Sequence, residues 1–368
     1  MNLLLSCTPF QQRLGFVNVA VALAGYDVFT SRELLAKKLF EKVRTRQEKW
    51  VEKLQSKTGA ISSPETAGDI VDWSVSLDLL FNTTFSWRPY ARVADTLITQ
   101  EEYDAIHGEG TDNPLGLRLP SQIFYLYLLL KFDGAALVYL TKAMNGKSEW
   151  TRKDASEALP EIYRKYGELH LSLASSNVGR IEATKFVETS KSMVEGARLH
   201  PDHLGTKELR VTTRTESLVD LGILEKPPDK KGSFVYRSTE RLNRFLRKFC
   251  DWSESLAEVE SNFFRRCSYV YDIQATNAEE EVVFETIMNN YEPLKASYGL
   301  AGIDEICLLS CIDLLTEKTP MIVEMDSARN ILLEKQKELQ SQIKLYPDSR
   351  GRIRYFSARK DFVSGFKT

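Results

Sequence analysis

KELRVTTRTESLVDLGILEKPPDKKGSFVYRSTER, Lys207 to Arg241, is the stretch on which the reading of this chain turns. Leu209, Leu218 and Leu221 recur at helical spacing with Val211 and Val219 beside them, and Lys207, Arg210 and Arg214 fall on the more polar side. Gly222 follows the last apolar turn, where a left-handed helix stop favours glycine. Ile223-Leu224-Glu225-Lys226 and Ser233-Phe234-Val235-Tyr236 then read as short strands. Between them Pro227-Pro228-Asp229-Lys230-Lys231-Gly232 combines turn residues with positive charge. Ser238-Thr239 opens a further helix, so the order is helix, stop, strand, basic loop, strand, helix.

Working towards the C-terminus, Glu240 to Trp252 and Glu254 to Tyr271 read as helices, and Ile303 to Leu315 as another. Ser327 is placed to cap a helix running to about Gln342. Ile343-Lys344-Leu345-Tyr346, the turn Pro347-Asp348-Ser349-Arg350-Gly351, and Arg352 to Phe356 make a hairpin with Lys344, Arg352 and Arg354 on one face. Towards the N-terminus, Ile181 to about Arg198 is a long helix. Pro120 to Lys131 is an apolar helix broken at Asp133-Gly134, followed by a helix from about Ala135 to Met144, and Thr151 starts another. Ser31 to Lys57 reads as a long charged helix, Glu65 to Trp73 as a shorter one, and Leu77 to Leu97 as a second helix-then-hairpin unit. Gly108 to Pro114 has the composition of a linker.

The central order of elements resembles a winged helix-turn-helix over about residues 180–248, and residues 300–362 resemble it more weakly. The resemblance implies a mainly α chain with short β-hairpin wings, in a multi-domain, tandem winged-helix architecture. The expected divisions are an N-terminal helical domain over 1–107, open to a winged-helix-like reading, a helical domain over 115–175 and the central winged helix over 176–250. A helical connector over 251–298 and a winged-helix-like domain over 299–368 complete the chain. Winged helices place a recognition helix in the major groove and a basic wing on phosphate or minor groove. Carried across, these roles put Lys207, Arg210, Thr212, Thr213 and Arg214 at the front of the helix and Lys230 and Lys231 at the wing tip. In the C-terminal unit the matching residues are Arg350, Arg352 and Arg354, with Arg359 and Lys360 beyond.

Composition neither demands nor forbids this. The 368 residues carry a formal net charge of -2, with 43% hydrophobic and 27% charged, the balance of an ordinary globular protein. Charge is unevenly placed: Lys207 to Lys248 holds eleven basic against six acidic residues, and Arg329 to Thr368 ten against four. Five scattered cysteines without a CxxC pair point away from disulfides and structural zinc and suit a reducing cytoplasm. No leader and no membrane span is expected.

Nucleotide-binding, hydrolase and metalloprotease motifs are missing, and His200-Pro201-Asp202-His203 suits a loop or cap better than a metal. No catalytic set, metal or cofactor is therefore expected. The expected function is non-enzymatic binding of double-stranded DNA, as a regulator or as the DNA-contacting subunit of a DNA-processing or phage-defence complex. Protein partners or a second copy are expected beside the DNA. A scaffold whose winged helices bind proteins is the alternative, since Glu208, Glu216 and Asp220 dilute the positive face. A nuclease with carboxylates gathered from separate strands, and Tyr355 and Phe356 as stacking platforms for single strands, also stay open.

Overall fold

A computed structural model describes residues 13–25, 29–46, 50, 61–84, 86–108, 110, 112–151, 214–227, 235–249 and 256–366, with scattered residues between 154 and 191. The chain is mainly helical with small sheets. It begins with α1 (Gly15–Ala24), α2 (Arg32–Arg44), α3 (Pro64–Ser76), α4 (Pro89–Thr96), α5 (Gln100–His107) and α6 (Leu119–Met144). Ser31, Ser63 and Thr99 cap three of these helices, accepting from backbone amides three residues on. The long charged helix expected over residues 31–57 is shorter in the structure, because α2 stops at Arg44.

Next come β1 (Glu149–Thr151), a helix over residues 214–220, β2 (Leu224–Glu225), β3 (Val235–Ser238), α7 (Glu240–Phe249) and α8 (Leu256–Tyr271). The last part holds β4 (Thr276–Asn277), α9 (Glu280–Asn289), α10 (Tyr291–Leu294), β5 (Ala301–Gly302) and α11 (Ile303–Thr316). It ends with β6 (Met321–Ile322), α12 (Met325–Glu338), β7 (Ile343–Pro347), β8 (Ile353–Ala358) and α13 (Lys360–Ser364).

One pattern recurs. A short first strand precedes the helices, and a hairpin follows them whose second strand pairs with that first strand. The sheet orders are accordingly β1-β3-β2 and β5-β8-β7, both antiparallel. The N-terminal part follows the same plan in reduced form. The Thr30 amide donates to the Thr84 carbonyl, and Leu80 bridges Trp87 in a minimal hairpin after α3.

This pairing moves the expected boundaries. The strand β1 lies in the supposed helical domain over 115–175, yet Trp150 stands opposite Tyr236 in the central sheet. The segment over 251–298 is more than a connector. Its α9 packs on α11 and α12, and its β4 runs parallel to β6. Ser327 is not the cap of α12, which starts two residues earlier with Glu324 at its N-cap.

The helix α6 runs through the middle, with residues 123–130 all buried, as an all-round apolar helix requires. It bends by 100° at Asp133, whose backbone leaves helical geometry at φ -140°. Asp133 is itself buried and accepts two hydrogen bonds from the Arg214 guanidinium, at 2.6 and 3.0 Å. Among the described residues no single helix is long and apolar enough to cross a membrane. Cys307 and Cys311 lie buried in α11, packing as small hydrophobes.

Gly222 adopts φ +66°, the left-handed stop expected of it. Gly222→Ala is expected to cost about 1–2 kcal/mol. Arg241, the nearest obstacle to an added methyl, sits at the end of a flexible side chain, so backbone strain is the main cost. A urea melt of the variant measures it.

Asp313 on α11 couples stability to pH. Burial raises its carboxyl to about 6, although the Asn290 amide donates to it at 2.7 Å. A folded-state pKa above the unfolded one means the native state holds more protons, so this group's contribution declines as pH rises through that window. The melting temperature of Asp313→Asn relative to the unsubstituted protein should therefore be higher at about pH 8 than at about pH 5. An equal difference at both pH values would refute the assignment.

Candidate nucleic-acid interface

The helix that the resemblance offers to DNA faces inward over its described length. Of residues 214–220 only Val219 is even partly exposed. Arg214, expected at the front of a recognition helix, is buried and paired with Asp133, so it belongs to the interior rather than to a DNA surface. Glu216 accepts from Lys226 Nζ and from the Tyr236 hydroxyl, both at 2.8 Å, and lies 3.5 Å from Arg13. Asp220 accepts from the Arg13 guanidinium and from the Leu14 amide. Burial holds Asp220 above the ordinary carboxylate range, opposed by the charge of Arg13. The helix thus recognises the start of α1, joining segments two hundred residues apart through one cation, Arg13, and two carboxylates. Lys207, Arg210, Thr212, Thr213, Lys230 and Lys231 lie outside the described residues, as does the His200 to His203 cluster.

The C-terminal hairpin presents its charge outward. Lys344, Arg350, Arg352, Arg354, Arg359 and Lys360 are all exposed. From residue 339 to 366 only Asp348 and Asp361 oppose these six cations. Asp348 shapes the turn, accepting from the Arg352 and Arg350 amides at 3.0 and 2.8 Å, which hold its carboxyl below the usual range. Gly351 completes the turn at φ +76°. Arg354 reaches Asp348 at 3.4 Å and Arg359 reaches Asp361 at 2.8 Å, both pairs solvent-facing. Phe356 is fully buried, with its ring 5.3 Å from that of Tyr291, which removes it as a stacking platform. The exposed positions of α12 are Ser327, Asn330, Glu334, Lys337 and Glu338, a mixed face without a positive stripe.

No family model, curated protein or solved structure matches the chain. What this surface does must be read from its own chemistry.

Beside the hairpin lies a cleft of about 350 Å³ between the N-terminal hairpin and the C-terminal sheet. Tyr355 lines it, and so do Phe29, Phe81, Arg88, Tyr298 and Glu305. Phe29 and Tyr298 are 78% and 71% exposed, unusual for large apolar side chains and informative where they gather around a cavity. The Arg88 guanidinium stands 5.2 Å over the Phe81 ring and pairs with Asp78 at 2.9 Å. Apart from Tyr355, sequence reasoning missed this cleft. Its two banks lie more than two hundred residues apart in the chain, and no local pattern announces that they meet.

Proposed function

We propose that the repeated units are winged helices and that the protein binds double-stranded DNA through the C-terminal wing, gripping phosphates without catalysing chemistry. The carrying observation is the density of exposed cations on β7, β8 and their flank, six against two carboxylates. Such a surface attracts a polyanion, and arginine forks match phosphate oxygens. The exposed face of α12 sets Lys337 against Glu334 and Glu338, which supports contact by the wing with backbone rather than by this helix with base edges, so binding is expected to be weakly sequence-dependent. A regulator that needs little sequence reading, or the DNA-contacting subunit of a processing or defence complex, fits this mode.

Gel mobility of a mixed-sequence duplex at low and high salt tests the reading. Retardation at low salt that disappears at high salt is expected, and no retardation at low salt would overturn it.

The scaffold reading has one observation of its own. The central helix spends its polar side chains on the protein interior, as a unit that organises other parts of a chain would. Co-purification of a stable protein partner together with absent duplex binding would favour it.

A further inference from the structure

The cleft beside the wing is built to accept something flat. Phe29 and Phe81 stand on one bank and Tyr298 and Tyr355 on the other, three of the four being among the exposed large hydrophobic residues of the molecule. The Arg88 guanidinium already lies over one of these rings. Arg92 crosses between the banks and donates to the Lys295 carbonyl at 2.6 Å, so the two sides are tied together. A volume of about 350 Å³ falls within the range of small-molecule sites.

In the wall of this cleft stands the Glu305 carboxyl, half-buried. Among the described residues no side chain donates a hydrogen bond to it. Gly302 makes room for it: a methyl there would fall 1.7 Å from a Glu305 carboxylate oxygen. Desolvation, reinforced by Asp304, lifts its pKa to about 7, against the hydrogen bond from its own backbone amide and the opposing charges of Lys131 and Arg354. Its own backbone amide donates to the carboxyl, and the acceptor capacity left over is matched by a ligand that supplies further N–H donors.

We propose that this cleft binds the base of an unpaired nucleotide, guanine by preference, next to a duplex held on the C-terminal wing. This rests on the DNA reading above and adds a single-stranded specificity to it. Stacking on the aromatic banks accepts any base. The ionised carboxylate selects guanine, whose Watson–Crick edge offers two adjacent N–H donors to two oxygens. Adenine and cytosine each set an acceptor at that edge against the carboxylate. Arg354 is the chain neighbour of Tyr355 and lies close enough to influence Glu305, so the phosphate-binding hairpin and the base-binding cleft adjoin.

Two measurements on the full chain test this. In the first, guanosine and adenosine monophosphates are titrated calorimetrically at about pH 8, where Glu305 is ionised. In the second, anisotropy follows one duplex whose short thymidine overhang carries a single guanine, adenine or cytosine. Guanine is expected to bind about tenfold tighter in both. Glu305→Gln should abolish the preference while leaving the binding of the all-thymidine overhang unchanged. Phe29→Ala with Tyr298→Ala should weaken every overhang by roughly tenfold while leaving the blunt duplex unaffected.

Equal binding of the two mononucleotides together with equal binding of the overhangs would overturn the proposal, as would a guanine preference retained in Glu305→Gln. Duplex binding without base preference removes the cleft and leaves the wing. Mononucleotide preference without duplex binding removes the wing and leaves the cleft as a guanine nucleotide site.

Discussion

Arg13→Ala is expected to lower the free energy of unfolding by about 3–5 kcal/mol, a large share of an ordinary domain's stability. Arg13 is the cation that both carboxylates of the central helix face, and its side chain is 5% exposed. Its removal leaves Asp220 with only the Leu14 amide, in a place where water does not replace the lost partner. Glu216 retains Lys226 and Tyr236, so the damage concentrates at Asp220. The physical reason is asymmetry: forming a buried ion pair gains little over an apolar pair, while stripping one partner leaves a desolvated charge. Replacing both partners, Arg13→Met with Asp220→Leu, should therefore cost less than Arg13→Ala alone. Urea denaturation of the three variants measures this. A single-variant loss below about 1 kcal/mol, or a double variant worse than the single, would sink the account.

The second large effect is on binding. Replacing Arg350, Arg352 and Arg354 by alanine should reduce duplex affinity by at least about tenfold and lower the slope of log affinity against log salt by roughly 3, one for each lost phosphate contact. The three side chains are exposed, and the turn is held by the Asp348 carboxylate on backbone amides, which the substitutions leave in place. The Arg354 to Asp348 pair is solvent-facing and worth little to stability. Thermal melting should accordingly change little while binding falls. An unchanged salt slope would move the DNA contact off this hairpin. Arg359, already engaged with Asp361, is expected to contribute less than the turn arginines.

Much of the local structure was legible in the chain. The Gly222 stop, the break of α6 at Asp133, and the hairpin from Ile343 to Phe356 follow from backbone preference and apolar spacing, which act over a few residues. The exposed wing cations were legible for the same reason, since a charged turn between two alternating strands has nowhere to go but solvent. Arg214 was not legible. Helical spacing puts it on a polar face, but a polar face points to solvent only when nothing charged waits opposite, and Asp133 stands 81 residues away in sequence. The pairing of β1 with β3 escaped likewise, because the partner of a three-residue strand carries no local signature.

The sequence by itself determined the central helix with its Gly222 stop, the broken apolar helix at Asp133, and that the basic excess at the C-terminus would sit on a hairpin. These are short-range matters of propensity and patterning. Only the tertiary structure decided which way the central helix faces, since burial of Glu216 and Asp220 depends on Arg13 and Lys226 arriving to neutralise them. Tertiary structure alone also brought Phe29, Phe81, Tyr298 and Glu305 around one cavity. The reason is the same in both cases: desolvation and charge pairing are settled by neighbours in space, and the chain order does not encode those neighbours locally.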